Sequence, residues 1–437
     1  MDWWQQFRDE DLSRLICELV SQNLDLAEAR QRILAARAIS SQMGSTRLPR
    51  LDGTAYTGVA GTGSEGVNFT GPPPGQDDSM DSLGLSAAWE LDLWGRVQRL
   101  ATAAEAEVDV AVEDYRGAAV SLAADLAIAY IDTRILRARL AVLDRNIELQ
   151  VKTVALTQSE LAAGTGTSLD VAQAQSQLSQ TMARRPVLLE ALARSENRIA
   201  LLLGRRPGEV QIGQGGVPEM PQVIGMGLPA ELIQRRTDIR RAITAYRAAV
   251  ERVGATEAEK YPAVTLSGVL NVQSTDLDSL FAGHAYTYNL GPALRIPLLD
   301  GGRIDAAVRQ RVAVAEEQRI RVERTLLVAI GEVENTVVGI VHSEGRRQAL
   351  FNAIGPAQTA VDRANELYHA GLTDSLRVID TQRQLVNLEE DELLARRDTL
   401  VETVRLYLAL GGGWQALALP VPELANHTEF QTAHATR

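Results

Sequence analysis

"GTGTSLDVAQAQSQL" (Gly164–Leu178) and "GLTDSLRVIDTQRQL" (Gly371–Leu385) are two versions of one local pattern. Each begins with a glycine that follows a long helical pattern, and each ends inside another. Glycine stops a helix by taking positive φ. "TSLD" and "TDSL" then supply hydroxyls or carboxylates that cap the next helix. Both stretches therefore predict a helix–turn–helix reversal, and their recurrence asks for a repeat.

The repeat runs through most of the chain. Gly95-Arg96 of "LDLWGR" and Gly302-Arg303 of "LLDGGR" are 207 residues apart, as are Gly164 and Gly371, and Gly204 and Gly411. Upstream, Asp25 matches Asp238 and Pro49 matches Pro262 at an offset of 213. The six extra residues of the second offset fall between Pro49 and Gly95, where a variable loop is expected. Each half reads as a helix (Asp11 to Met43; Pro229 to Lys260), two strand-like segments, a long helix (Leu93 to Ala163; Gly301 to Ala370), the glycine break, and a second helix (Ser168 to Leu203; Ser375 to Leu410). A Gly/Pro-rich linker from Gly204 to Pro229 joins the halves.

The first long helix carries a heptad seam: Val108, Val112, Tyr115, Ala119, Leu122, Leu126, Ala129, Thr133, Leu136, Leu140, Leu143, Ile147, Gln150 and Val154. So sustained a 3.5-residue repeat predicts coiled-coil packing. The second long helix repeats it from Leu326 to Ala364, interrupted at Ser343 and Arg347. About 70 helical residues span roughly 105 Å, beyond what a globular domain requires.

The strand segments alternate. Val264, Leu266, Leu270 and Val272 oppose Thr265, Ser267 and Asn271. Leu83, Leu85, Ala87, Trp89 and Leu91 oppose Ser86, Glu90 and Asp92. "YTYNLGPALRIPL" alternates likewise, and "LDGTAYTGVAG" does so weakly. Period-2 patterning over about ten residues suits a barrel in lipid; it suits a half-buried soluble sheet equally. Polar loops are expected over 61–82 and 273–285. Four strands cannot close a barrel, and lipid tolerates no open sheet edge. Membrane strands would have to be shared among chains, three of which would supply twelve strands.

Composition narrows the function. Net charge is −12 and aromatic content 4%, with no basic patch, so nucleic acid is not an expected partner. No apolar run reaches 18 residues, so no transmembrane helix is expected. One cysteine, Cys17, allows no internal disulfide and is expected to be buried. The chain opens at "MDWWQQFRDE" with no export signal, which reads as a cytoplasmic protein or as a mature form whose signal has been removed. The histidines (His284, His342, His369, His427, His434) are scattered, no phosphate loop or nucleophile elbow is present, and "GGGW" (Gly411–Trp414) reads as a helix stop. No enzymatic activity, cofactor or metal is expected.

Taken together, "WWQQFRDEDLSRLI", "NLDLAEA", "WELDLWGR" (Trp89–Arg96), "GLPAELIQRRTDIRRA" (Gly227–Ala242), "YPAVTLSG" (Tyr261–Gly268), "IPLLDGGR" (Ile296–Arg303) and the two breaks resemble the TolC-type outer-membrane efflux channel family. The resemblance is to the lipoprotein branch that serves resistance-nodulation-division pumps, and runs from about Trp3 to Leu410. It implies a mainly α fold with β strands. Three chains would form a 12-stranded β-barrel in the bacterial outer membrane, standing on an α-helical tunnel through the periplasm. The expected segments are an N-terminal helical and equatorial part (1–47), barrel strands 1–2 (48–92), a first helical hairpin (93–203), a linker with an equatorial helix (204–260), strands 3–4 (261–300), a second hairpin (301–410) and a C-terminal tail (411–437). The tail from Ala425 is expected to be disordered.

The implied function is a passive exit duct of a tripartite pump for small amphiphilic compounds. Its implied partners are itself as a homotrimer, a periplasmic adaptor (membrane fusion) protein, an inner-membrane resistance-nodulation-division transporter and outer-membrane lipid. Alternatives are the outer-membrane channel of a type I protein-secretion system and a soluble structural coiled coil. The resemblance makes the breaks adaptor-docking tips, with Gly164, Thr165, Leu169, Gly371, Leu372 and Leu376 as their residues. It also makes Asp380 a pore-facing carboxylate, with Leu376 an apolar constriction one helical turn away. A three-fold ring of Asp380 would attract cations and could hold a blocking divalent ion. Two departures stand out. Arg377 takes the place of a second Asp found in some members, and the lipidated N-terminal Cys common in this branch is not at the start of this chain. The repeat partner of Asp380 is Gln173, so only one hairpin would carry the ring.

Overall fold

The computed structural model describes residues 2–61, 77–221, 235–274, 278, 280, 286–417 and 419–423. Most of the two expected polar loops, the stretch 222–234 and the tail from 424 lie outside the described residues. Seven helices are described: α1 Glu10–Gln22, α2 Leu24–Ser45, α3 Arg96–Ala162, α4 Ser168–Leu202, α5 Thr237–Ala258, α6 Arg303–His369 and α7 Ser375–Ala409. Four strands join them: β1 Arg50–Gly61, β2 Asp77–Leu91, β3 Ala263–Ser274 and β4 Tyr286–Arg295. The chain divides into two units, each built from both halves of the sequence repeat.

The unit of residues 32–111 and 241–322, with 422–437, contains the sheet. Its strands pair in the order β1-β2-β3-β4, all antiparallel. The register gathers large apolar side chains on one face, which turns polar toward the first loop at Thr57, Asp77, Ser79 and Asp81. Leu51, Leu85, Leu83, Leu270, Val272, Tyr288 and Tyr286 share one face, joined by Trp89, Leu266, Leu290, Val264 and Leu294. The other face carries Asp52, Ser86, Asn289, Thr54, Gly84, Asn271, Thr287, Ser82 and Ser267, with Tyr56 and Val269 as apolar exceptions. The apolar face is open: Leu290 is 75% exposed and Tyr288 74%. A soluble sheet would cover that face, since a patch this large is costly in water. Among the described residues, β1 and β4 each keep one unpaired edge. β2 begins at Asp77, inside the stretch expected to be loop, because its first residues pair with Gly58–Gly61 of β1.

The "LDLWGR" and "LLDGGR" motifs make matching helix starts. Asp92 accepts from Val97 N at 3.0 Å and Gln98 N at 2.7 Å; Asp300 accepts from Gly302 N and Ile304 N, both at 2.9 Å. Each carboxylate satisfies two amides that a helix N-terminus leaves without partners.

The other unit holds residues 1–31, 112–240 and 323–421. Its core is the α3 seam: Tyr115, Ala119, Leu126, Ala129, Thr133 and Leu143 are almost fully buried. Thr133, a polar member of the seam, hydrogen-bonds the Ser195 hydroxyl of α4 at 2.9 Å. The interruption in α6 is an ion pair: Arg347 meets Glu344 at 2.6 Å and Glu392 of α7 at 3.7 Å. Near the chain start, Trp3 stacks on Tyr407 with ring centroids 5.6 Å apart. The buried Arg134 guanidinium binds the carbonyls of Gly213 and Gly215 at 2.6 and 2.8 Å, which ties the linker to α3.

Two expectations are corrected here. The helix expected from Asp11 to Met43 is two helices, because Asn23 leaves the helical region at ψ 130°. Its side chain caps α2 at Leu26 N (2.9 Å) and binds the Leu202 carbonyl (2.7 Å), which fixes the break. Cys17 is exposed. The apolar face of α1 is made by Leu12, Leu15, Ile16 and Leu19, and position 17 lies off that face. By length and average composition alone, α6 contains a stretch apolar enough to cross a membrane, although no unbroken apolar run of 18 residues is present.

Candidate functional site: the paired hairpin tips

Two reversals lie in the same unit. The first closes α3 onto α4. Gly164 takes φ +75°, its N–H donates to the Leu161 carbonyl at 3.1 Å, and the amides of Thr165 and Gly166 both return to the Glu160 carbonyl. Thr167 then caps α4: its hydroxyl accepts from Asp170 N at 3.3 Å, and Asp170 accepts in return from Thr167 N at 3.1 Å. This reciprocal pair is a capping box. The second reversal closes α6 onto α7. Gly371 takes φ +72°, Leu372 N donates to the Leu367 carbonyl at 2.9 Å, and Asp374 caps α7 by accepting from Arg377 N at 3.0 Å.

No atom lies within 4 Å of where a Cβ would stand at Gly164 or Gly371. Their requirement is purely conformational. Ala at either position is expected to cost about 1–2 kcal/mol, from the left-handed backbone alone. Thermal unfolding of Gly164→Ala and Gly371→Ala checks this, and unchanged melting would contradict it.

The tips are fastened to one another at two points. The Tyr368 hydroxyl of α6 donates to the Glu160 carboxylate of α3. The Ser375 hydroxyl of α7 donates to Asp170 Oδ1 of α4 at 2.7 Å. Burial, and then the Glu160 carboxylate, push the Tyr368 phenol well above its ordinary range, so it remains a donor at neutral pH. The Thr167 and Ser375 hydroxyls hold the Asp170 carboxyl below its ordinary range, the Thr167 bond contributing most. Behind them, Val154, Ala174, Leu178 and Ile379 form one apolar cluster drawn from α3, α4 and α7.

The expected site residues divide accordingly. Gly164, Thr165 and Gly371 make the turns. Leu169 and Leu372 are exposed at 63% and 74%, so the tips present apolar side chains to their surroundings. Along α7, Ser375, Val378, Ile379 and Gln382 are buried, while Leu376 and Asp380 lie on the opposite, exposed face. The helix thus brings Leu376 and Asp380 together, one turn apart. Sequence reading missed their companion: Arg383 reaches Asp380 at 2.5 Å, and both side chains are about half exposed. The i,i+3 spacing of opposite charges was the available signal. Sequence reading also missed Glu160, Asp170, Tyr368 and Ser375. Among the described residues no cluster of His, Cys, Asp and Glu suited to a metal is gathered.

Similarity to known proteins agrees with this architecture. The family model for outer membrane efflux proteins matches residues 15–205 and 228–412. Nodulation protein T of Rhizobium leguminosarum bv. viciae is 30% identical over 445 residues, covering 99% of this chain and 89% of the relative. The toluene efflux pump outer membrane protein TtgF of Pseudomonas putida is 30% identical, covering 96% of this chain and 86% of its own. The solved outer-membrane channel OprN superposes with a TM-score of 0.87 at 31% identity, over 94% of this chain and 92% of that one. The chain belongs to the outer membrane efflux protein family. It is located in the outer membrane and serves as the exit duct of an efflux system.

Proposed function

We propose that three copies of this chain close one duct that passively conducts small amphiphilic compounds outward, and that an adaptor opens it at the hairpin tips. The observation that carries the reading is the sheet. An apolar face and a polar face, both exposed, fit lipid on one side and water on the other. Two unpaired edges on a four-stranded sheet cannot remain open in lipid, and pairing β1 of one copy with β4 of the next satisfies both. Three copies give a twelve-stranded barrel, within the range of known outer-membrane barrels. In this reading segments 48–92 and 261–300 form the barrel, and 93–203 and 301–410 the tunnel.

The tips are the periplasmic mouth. Leu169, Leu372 and Leu376 offer apolar docking points to the adaptor, which links the duct to an inner-membrane resistance-nodulation-division transporter. Leu376 and Asp380, repeated three-fold, line the constriction. Breaking the Tyr368–Glu160 and Ser375–Asp170 bonds frees the two hairpins to part. No catalytic role is assigned to any residue.

The proposed cargo is supported by relatives that are named for efflux of toluene, efflux of solvent and export of pyoverdine. Deleting the gene is expected to sensitise the cell to organic solvents, dyes and detergents while leaving its secreted proteins unchanged. Heat-resistant trimers should be found in the outer-membrane fraction. Normal susceptibility together with a depleted secretome would overturn the reading in favour of protein secretion.

A further inference from the structure

A band of polar side chains is buried between two apolar clusters of the helical bundle. On one side Val154, Ala174, Leu178 and Ile379 pack together. On the other, Leu140, Leu143 and Leu188 do so, and Ile147 touches both clusters. Between these levels α3 places Asn146 and Gln150, each 4% exposed. On α4, Thr181 falls between Leu178 and Leu188 and is also 4% exposed. On α7, Gln382 follows Ile379 by three residues and is 5% exposed. Asn146 Oδ1 and both polar atoms of the Gln150 amide have no hydrogen-bond partner among the described residues.

Such an arrangement is costly. An orphaned buried amide loses its hydration and gains nothing in return, roughly 1–3 kcal/mol per group. A polar residue in a coiled-coil seam trades stability for a specified arrangement. Leucine would fit the heptad pattern at position 150, so apolar packing alone does not account for the Gln150 amide.

We infer that Asn146, Gln150, Thr181 and Gln382 form a hydratable layer at which the α3–α4 hairpin and α7 separate when the tip opens. An apolar layer would lose its packing on separation. A layer that holds orphaned amide atoms instead gains water, while the Thr181 hydroxyl keeps its bond to the Gln177 carbonyl. Opening therefore costs less at this level than at the apolar levels on either side. The layer also sets how far the parting spreads. Val154, Ala174, Leu178 and Ile379 lie on the tip side of it and move with the tips. Leu140, Leu143 and Leu188 lie beyond it and hold the bundle closed. Gln382 is two residues from Asp380, so a shift of α7 at the layer moves the proposed constriction as well. This inference rests on the tips being the opening end.

Two measurements on the full-length trimer test it. Amide hydrogen exchange should be roughly tenfold faster across 146–150 than across 136–143, since an opening cheaper by about 1.4 kcal/mol is ten times more populated. Equal protection would overturn the layer whatever the tips do. In planar bilayers, Gln150→Leu in a Tyr368→Phe background should lower the open fraction roughly tenfold, by removing one orphaned group's gain on hydration. Gln150→Asn should restore it. A rise in thermal stability with the open fraction unchanged would leave Gln150 as packing only and overturn the proposal. Should Gln150→Leu fail to assemble, Asn146→Leu, which also removes an orphaned carbonyl, is read against the same expectation. Failure of Tyr368→Phe alone to raise conductance would count against the tip as the opening end; the exchange result would still decide the layer.

Discussion

Tyr368→Phe combined with Ser375→Ala opens the duct without an adaptor: its conductance in planar bilayers rises roughly ten- to a hundredfold over the parent. Each substitution deletes one donor to a carboxylate on the neighbouring hairpin and leaves the fold of its own hairpin intact. Hydrogen bonds to charged groups contribute roughly 1.5–3 kcal/mol when shielded and less when partly exposed, which sets the range. Because the two bonds hold one pair of hairpins, each single variant is expected to give only a fraction of the effect. Acid reaches the same clamp from the other direction. The folded-state pKa of Asp170 is depressed, so its contribution is complete above the unfolded value and is lost as pH falls through the folded one. The Ser375–Asp170 bond loosens only below about pH 4, so mild acidification to about pH 5.5 leaves it in place. Opening under that mild acidification would show that another group governs the tip.

The second expected result concerns charge at the constriction. Asp380→Ala abolishes block by divalent cations, and Arg383→Ala strengthens it roughly tenfold, since removing a guanidinium in contact with each carboxylate leaves the ring negative. An isolated ring of three carboxylates would be a strong cation trap. Each chain pairs Asp380 with Arg383 at 2.5 Å, so the proposed ring would be one of ion pairs, close to neutral in sum. The pair is half exposed and contributes little to stability; its effect is on the local field. Single-channel recordings with a divalent titration separate the alternatives. If Arg383→Ala leaves block unchanged, Asp380 does not face the ion path.

The sequence disclosed those features whose cause is local or periodic. Positive-φ glycines at 164 and 371, hydroxyl and carboxylate caps at 167 and 374, and the α3 seam all act over a few residues or a fixed period. Strand alternation was also legible, and the observed register joins four separate alternations into one face. The features missed have distant causes. Asn23 interrupts a helix because a carbonyl at position 202 receives its side chain. Tyr368 and Glu160 are 208 residues apart, and nothing near either residue announces the other. Cys17 was misjudged because burial was inferred from residue type, whereas the face of α1 decides it. Gln150 entered the seam by spacing, but spacing could not show that its amide is left without a partner.

The shared register of the sheet also governs how the gene can change length. Twelve residue pairs join β1 to β2, eleven join β2 to β3 and ten join β3 to β4, all in one unbroken phase. Inserting or deleting a single residue within any strand turns every side chain beyond it to the opposite face, exchanging leucine for serine against lipid. Length changes inside the strands are therefore tolerated only in twos. Outside them the parity rule lapses, and the six-residue difference between the two halves lies in the interval that contains the first polar loop.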